Sequence, residues 1–245
     1  MSDVKNSGLA TDLVSYWELE EASGTRIDSH GSYDLTDINT VGSATGIQGN
    51  SASFVKANSE QLSYPSNLAL DIVANSDKTI AFWVKTAVDT GFTGLVQRWT
   101  IDKGYLIRLS DTDGSLQFYG GNGSGTTLSP ATGTTDLADN NWHFVVCTHD
   151  GSDNRKRIYI DGNTTPEGTS IVHSTQAASS GAFLLSGGGS SSFLDGQLDE
   201  VGVWDRLLTS GEITTLYNSG AGIPYDAGGA VTANLSARRQ HLMMM

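Results

Sequence analysis

The chain has 245 residues, and its 27 acidic against 14 basic side chains give a formal net charge of −13. So strong an acidic excess excludes a protein that grips nucleic acid or an anionic membrane through a broad basic field. Its 29 glycines, where average usage would give about 17, and its wealth of Ser, Thr, Asn and Asp argue against a helical body.

In chain order, residues 1–10 show no basic-then-apolar export signal, and no later apolar run approaches the roughly 18 residues of a membrane span. The expectation is a chain that neither enters the Sec pathway nor crosses a bilayer, so the sequons at Asn122, Asn163 and Asn234 carry no glycosylation. Strand-type runs follow at residues 13–19, 51–55, 61–64, 79–86, 93–99, 105–109, 116–119, 142–148, 157–160, 182–185 and 197–204, separated by Gly, Asn, Asp and Ser clusters. Period-two alternation in 157–160 and 198–204 predicts strands buried on one side only. Asp113-Gly114 and Asp161-Gly162 predict tight antiparallel hairpins, since both steps tolerate positive φ. The run Gly120-Gly121-Asn122-Gly123-Ser124-Gly125 leads into no helix, so it reads as a flexible loop after Tyr119 and not as a phosphate cradle. Cys147, the single cysteine, falls in a strand interior, and no intrachain disulfide can form.

One helix is expected near the end. Thr209 and Glu212 form a capping box, Ile213, Leu216 and Tyr217 share a face, and Gly220 supplies the stop. These signals divide the chain into a lead at 1–9, a domain at 10–222, and a linker with a basic amphipathic tail at 223–245. In the tail, Leu235, Arg238, Arg239 and Leu242 are the expected docking residues for a groove on a larger particle. The other reading of this segment is a terminus with no partner.

Five stretches, in order, resemble the laminin-G-like or concanavalin A-like jelly-roll family in its compact bacterial and viral form. They are Leu13-Val14-Ser15-Tyr16-Trp17-Glu18-Leu19 with Ser23-Gly24-Thr25 and Asp28; Ile80-Ala81-Phe82-Trp83-Val84-Lys85-Thr86; Asn141-Trp142-His143-Phe144-Val145-Val146; Ile158-Tyr159-Ile160-Asp161-Gly162; and residues 196–206, followed by Glu212-Ile213 and residues 216–220. Together they cover about residues 10–222. The resemblance implies an all-β fold, a two-sheet antiparallel jelly-roll sandwich with one sheet concave and one short C-terminal helix against it. Independently, Trp17, Phe82, Trp83, Trp142, Phe144, Tyr159 and Trp204 are expected to fill the layer between the sheets, about 10 Å thick.

Fold does not decide function, because such sandwiches carry lectins, glycosidases and structural parts alike. Glycoside hydrolysis needs two positioned carboxylates. The Glu-x-Asp-x-Glu pattern of the family's β-glucan hydrolases is missing, and Glu18-Leu19-Glu20-Glu21 comes nearest to it. Motifs for a nucleophile elbow, a zinc protease, a Walker loop or a dithiol are also missing, and His30, His143, His149, His173 and His241 lack metal-ligand spacing. The resemblance implies a structural Ca²⁺ that pins the N-terminal segment to the last strand, with Asp199 and Asp28 as its ligands. The alternative is that Asp199 caps backbone amides or pairs with Arg206. For a ligand face the candidates are Trp99, Tyr119 and Asn122, an aromatic and amide set of the kind that contacts sugars; packing is the competing role for both rings.

The expected role is a non-catalytic structural and binding protein. Its reading as a phage virion component, in the capsid decoration or tail, joins a fold that works outside cells to a chain without an export signal. Partners would be capsid or tail proteins reached through the tail, surface glycans, and further copies of the chain. The alternatives are a free lectin-like module at the cell surface and, with Glu18 or Glu20 as the acid, a glycoside hydrolase.

Overall fold

The computed structural model describes residues 3–88, 91–187 and 192–226. The proposed docking residues Leu235, Arg238, Arg239 and Leu242 lie outside these. In chain order the strands are β1 (Leu13–Trp17), β2 (Thr36–Ile38), β3 (Gly42–Thr45), β4 (Asn50–Phe54), β5 (Gln61–Tyr64), β6 (Lys78–Thr86), β7 (Thr93–Thr100) and β8 (Lys103–Leu109). There follow β9 (Leu116–Asn122), β10 (Thr127–Thr132), β11 (His143–Asp150), β12 (Arg155–Ile160), β13 (Gly168–Thr169), β14 (Phe183–Leu185), β15 (Gly196–Trp204) and the helix α1 (Ser210–Tyr217). They form two sheets. An eight-stranded sheet runs β13-β12-β11-β6-β15-β4-β3, with β1 also paired to β15, and a seven-stranded sheet runs β10-β9-β8-β7-β14-β5-β2. The strand pairs are antiparallel, as the expected jelly-roll sandwich requires.

The inner faces meet in one core. Trp17, Phe82, Val84, Val145, Ile158 and Leu198 come from the first sheet, and Leu62, Val96, Tyr105, Ile107, Phe118 and Phe183 from the second. Trp17 of β1 stacks on Phe183 of β14 with ring centroids 5.0 Å apart, so one aromatic pair ties the two layers together.

A second core corrects the expectation for the aromatics. Trp17 and Phe82 do lie between the sheets, but Trp83, Phe144 and Trp204 belong to a cluster on the outer side of the eight-stranded sheet, with Trp142 and Tyr159 packed against it. Alternation explains the split, since neighbours such as Phe82 and Trp83 point to opposite faces. That outer side is roofed by Val4, Leu9, Leu208, Ile213, Leu216, Ile223 and Tyr225. β6 and most of β15 are therefore buried on both faces, and the one-sided reading of 198–204 does not hold. Val4 N–H donates to the Pro224 carbonyl (3.1 Å) and Lys5 N–H to that of Tyr225 (2.8 Å), so lead and linker pair with each other and the folded unit reaches beyond 10–222 at both ends.

Local signals act as expected at the helix, where Thr209 and Glu212 cap each other and Arg206 pairs with Glu212 (2.7 Å). The helix ends on Asn218 in the left-handed region (φ 46°), two residues before the expected Gly220. Asp161 and Gly162 have positive φ and close a turn from Asn163 N–H to the Ile160 carbonyl (3.0 Å), but β12 re-pairs only at Gly168, which makes the connection long. Asp113-Gly114 sits in the β8–β9 hairpin. The glycine run is a correction: Gly120 and Gly121 are buried β9 residues, and a side chain at Gly120 would collide with Lys156 and Gln176. Among the described residues no helix is long and apolar enough to cross a membrane.

Candidate functional site: the uncovered face of the seven-stranded sheet

The two hydrophobic clusters lie between the sheets and outside the eight-stranded one, so among the described residues no apolar cluster roofs the outer face of the seven-stranded sheet. Alternation decides what this face displays. Tyr105, Ile107 and Leu109 of β8 and Leu116 and Phe118 of β9 enter the inner core, so Leu106, Arg108, Gln117 and Tyr119 point the other way. In β7 a register shift between Gly94 and Val96 sends both Leu95 and Val96 inward. That shift resets the alternation and brings Gln97, opposite Leu106, and Trp99, opposite Gly104, onto the outer face.

Arg108 is the centre of the cluster. Its Nε donates to Gln117 Oε1 (3.0 Å) and its Nη2 to Tyr119 Oη (2.8 Å), while Tyr119 Oη donates to Gln117 Oε1 (3.2 Å). The guanidinium carbon lies 3.7 Å from the Phe92 ring centroid and 4.3 Å from that of Tyr119, within cation–π range of both. Gln97 is only 4% exposed, yet its Oε1 has no hydrogen-bond partner. A buried carbonyl oxygen without a donor costs about 1–3 kcal/mol, so Gln97 marks a costly spot beside the cluster.

Of the sequence-predicted ligand residues, the structure brings Trp99 and Tyr119 to this one face. Asn122 is not on it: it falls on the opposite alternation of β9, and its Oδ1 accepts from Ser124 N–H (2.9 Å) and Thr126 N–H (3.2 Å) to cap its own turn. Sequence reasoning missed Arg108, Gln117, Gln97 and Phe92. Arg108 was legible, because it alternates with Ile107 and Leu109. Gln97 was not, because the register shift reverses its side.

The predicted metal pair occupies a different region, and neither carboxylate fits a calcium ion. Asp28 accepts from Ser15 Oγ (2.5 Å), Tyr16 N–H (3.0 Å), His30 N–H (3.1 Å), Gly31 N–H (2.8 Å) and Tyr33 N–H (3.0 Å). Asp199 accepts from the amides of Ile47 (2.7 Å), Gln48 (3.3 Å) and Glu200 (3.0 Å). Calcium needs six to eight oxygens with free lone pairs, and among the described residues no group of three or more His, Cys, Asp or Glu side chains is arranged to hold a metal. Capping of backbone amides is what Asp199 does, and Arg206 pairs with Glu212 instead.

The acids beside Asp199 are sealed in. A register shift between Asp199 and Gly202, with Glu200 at φ 50°, turns two successive carboxylates toward the roofed side. Glu200 Oε2 accepts from Tyr16 Oη (2.5 Å), and its Oε1 has no partner. Burial pushes the Asp199 carboxyl up to about 8 and that of Glu200 well above the usual carboxylate range; the Asp199 charge adds to the rise at Glu200, and the Glu20 charge to the rise at Asp199. Glu18 accepts from Ser29 Oγ (2.5 Å) and Glu20 from Asn50 N–H (2.8 Å). Burial raises both of these carboxyls as well.

Two antiparallel sheets, one face roofed and the other presenting a polar and aromatic cluster, define a jelly-roll sandwich of the lectin-like class. The chain belongs to the concanavalin A-like lectin/glucanases superfamily, whose family profile matches residues 56–214. No curated protein matches the sequence. Among solved structures, the binding domain of Paraclostridial Mosquitocidal Protein 1 superposes with a TM-score of 0.71 at 18% identity, over 86% of this chain and 53% of that one. Domain 4 of AbnA, a GH43 extracellular arabinanase from Geobacillus stearothermophilus solved in complex with arabinotriose, gives 0.63 at 18% identity over 83% and 97%. The binding domain of Botulinum neurotoxin DC, solved with rat synaptotagmin II, gives 0.67 at 14% identity over 86% and 52%. This chain thus spans about half the length of the toxin binding domains, and at these identities the likeness is one of fold.

Proposed function

We propose that this protein is a binding module that takes a glycan on the uncovered face of the seven-stranded sheet. The observation that carries the reading is the Arg108–Gln117–Tyr119 cluster, with Phe92 over the guanidinium and the unsatisfied Gln97 in the neighbouring row. Sugars are recognised by rigid aromatic surfaces combined with a few fixed donors and acceptors, and Tyr119, Trp99 and Gln117 offer both. The arabinotriose complex of AbnA domain 4 and the toxin binding domains support the reading, since they carry this fold and are binding domains or bind a sugar by their own titles.

The test is a glycan array probed with the full chain, followed by titration of the best ligand against Tyr119→Ala and Trp99→Ala. An aromatic contact is worth about 0.5–1.5 kcal/mol beyond its buried area, so each substitution weakens binding by about three-fold or more. An array without a single bound glycan, or affinities unchanged in both variants, contradicts the proposal.

A further inference from the structure

We propose that the ligand of this face is an acidic sugar, held through its carboxylate by Arg108. The inference rests on the glycan-binding reading above and adds its chemical class. Among the described residues Lys5, Lys78, Arg98, Arg157 and Arg206 pair with acids. Arg108 makes no ion pair among the described residues. Its two protein acceptors, Gln117 Oε1 and Tyr119 Oη, are neutral and engage two of its five N–H donors. The other three have no acceptor among the described residues.

The surroundings keep it so. Among the described residues, the outward positions of β9, β8, β7, β14 and β5 (Gln117, Tyr119, Leu106, Gln97, Trp99, Leu184 and their neighbours Gln61 and Ser63) include no acid. Gly94, opposite Arg108 on β7, adds no side chain beside it. The result is a fixed positive charge on a sheet face, its planar group stacked against Phe92 and oriented by two hydrogen bonds. A guanidinium held in this way offers a carboxylate two parallel N–H donors, a geometry that lysine cannot reproduce. The Phe92 and Tyr119 rings lie within cation–π range of it, so its plane is held in place before an anion arrives. A neutral sugar offers it only uncharged hydroxyl oxygens, a weaker pairing than a carboxylate.

Two sources share this chemistry, sialylated and uronate glycans, and the experiment separates them. The full chain is titrated calorimetrically with 3′-sialyllactose and lactose, and with trigalacturonate and its carboxyl-reduced neutral counterpart. The expected result is that at least one acid binds at least ten-fold tighter than its neutral partner. Arg108→Gln should abolish that preference, Arg108→Lys should retain part of it, and both variants should keep the wild-type near-ultraviolet circular dichroism. Raising salt from 50 to 500 mM should weaken the acid several-fold. Equal binding of acid and neutral partner, or an unchanged preference in Arg108→Gln, overturns the acidic class and leaves the binding module standing. No binding of either acid overturns it too, and an array with no bound glycan at all overturns both readings.

Discussion

Lys156→Met changes stability in a way that the structure fixes in sign and size. Lys156 points from β12 into the interior, fully buried. Its Nζ donates to Gln176 Oε1 (2.8 Å), lies 3.4 Å from His173 Nδ1 and stands 5.7 Å from the Phe118 ring centroid, and His149 faces it across the β11–β12 ladder. None of these partners is an acid. Burial lowers the ammonium from its ordinary 10.5 to about 7. The unfolded chain therefore binds more protons between about pH 7 and 10.5, and stability from this group rises with pH across that window. At pH 6.5 nearly the whole shift is a cost, about 5 kcal/mol at roughly 1.4 kcal/mol per pKa unit. Methionine removes the cost but strands the buried Gln176 Oε1, which loses its Lys156 donor at about 1–3 kcal/mol. The variant is expected to be about 2–4 kcal/mol more stable than wild type at pH 6.5, to lose about 1.4 kcal/mol of that advantage per pH unit above 7, and to fall about 1–3 kcal/mol below wild type at pH 10.5. Urea unfolding of both proteins at half-unit steps measures this directly. A difference that stays constant with pH, or a variant less stable than wild type at pH 6.5, refutes the reasoning.

Three further outcomes follow from the packing and the buried acids. Glu200→Gln gains stability relative to wild type as pH rises from 5 to 9, because an acid with a raised folded pKa holds its proton in the fold and loses stability on deprotonation; melting midpoints that shift in parallel across that range speak against it. Phe183→Ala costs about 3–5 kcal/mol in denaturant unfolding, since it removes the ring that meets Trp17 between the sheets, and a loss under 1 kcal/mol would mean that this pair does not join the layers. Excess EDTA or added calcium leaves the melting midpoint within 1 °C, as Asp28 and Asp199 spend their oxygens on hydrogen-bond donors. A rise of several degrees with calcium would restore the metal reading.

The residues that could be read ahead are those whose alternation continues undisturbed. The long strands β6, β11 and β15 and the capped helix stand in the sequence because Val, Ile and aromatic runs meet clear turn residues. β2, β3, β10 and β13 escaped notice for a physical reason: Thr36-Asp37-Ile38, Gly42-Ser43-Ala44-Thr45 and Gly168-Thr169 are short, small or polar, and Pro130 interrupts β10. Such strands are defined by the neighbour they pair with and carry little pattern of their own. At the site, Trp99 and Tyr119 could be nominated by residue type, and Arg108 by its place between two core residues. Gln97 and the Asp199–Glu200 pair depend on register shifts, which reverse the side a residue faces without leaving a mark in composition. The second core was hidden for a different reason, because Val4, Leu9, Ile223 and Tyr225 lie in segments with no strand or helix signal and acquire their role only when α1 packs beside them.

The central claim, a sugar seated on the outer face of the seven-stranded sheet, is tested most directly by an amide and side-chain shift map of the isotope-labelled protein titrated with its tightest array ligand. The account predicts that the largest changes fall on Gln97, Trp99, Arg108, Gln117 and Tyr119, with the roofed side near α1 unmoved. Changes confined to the region of α1, Tyr16 and Tyr225, with the Arg108 and Gln97 side-chain signals unaltered at saturation, would contradict it.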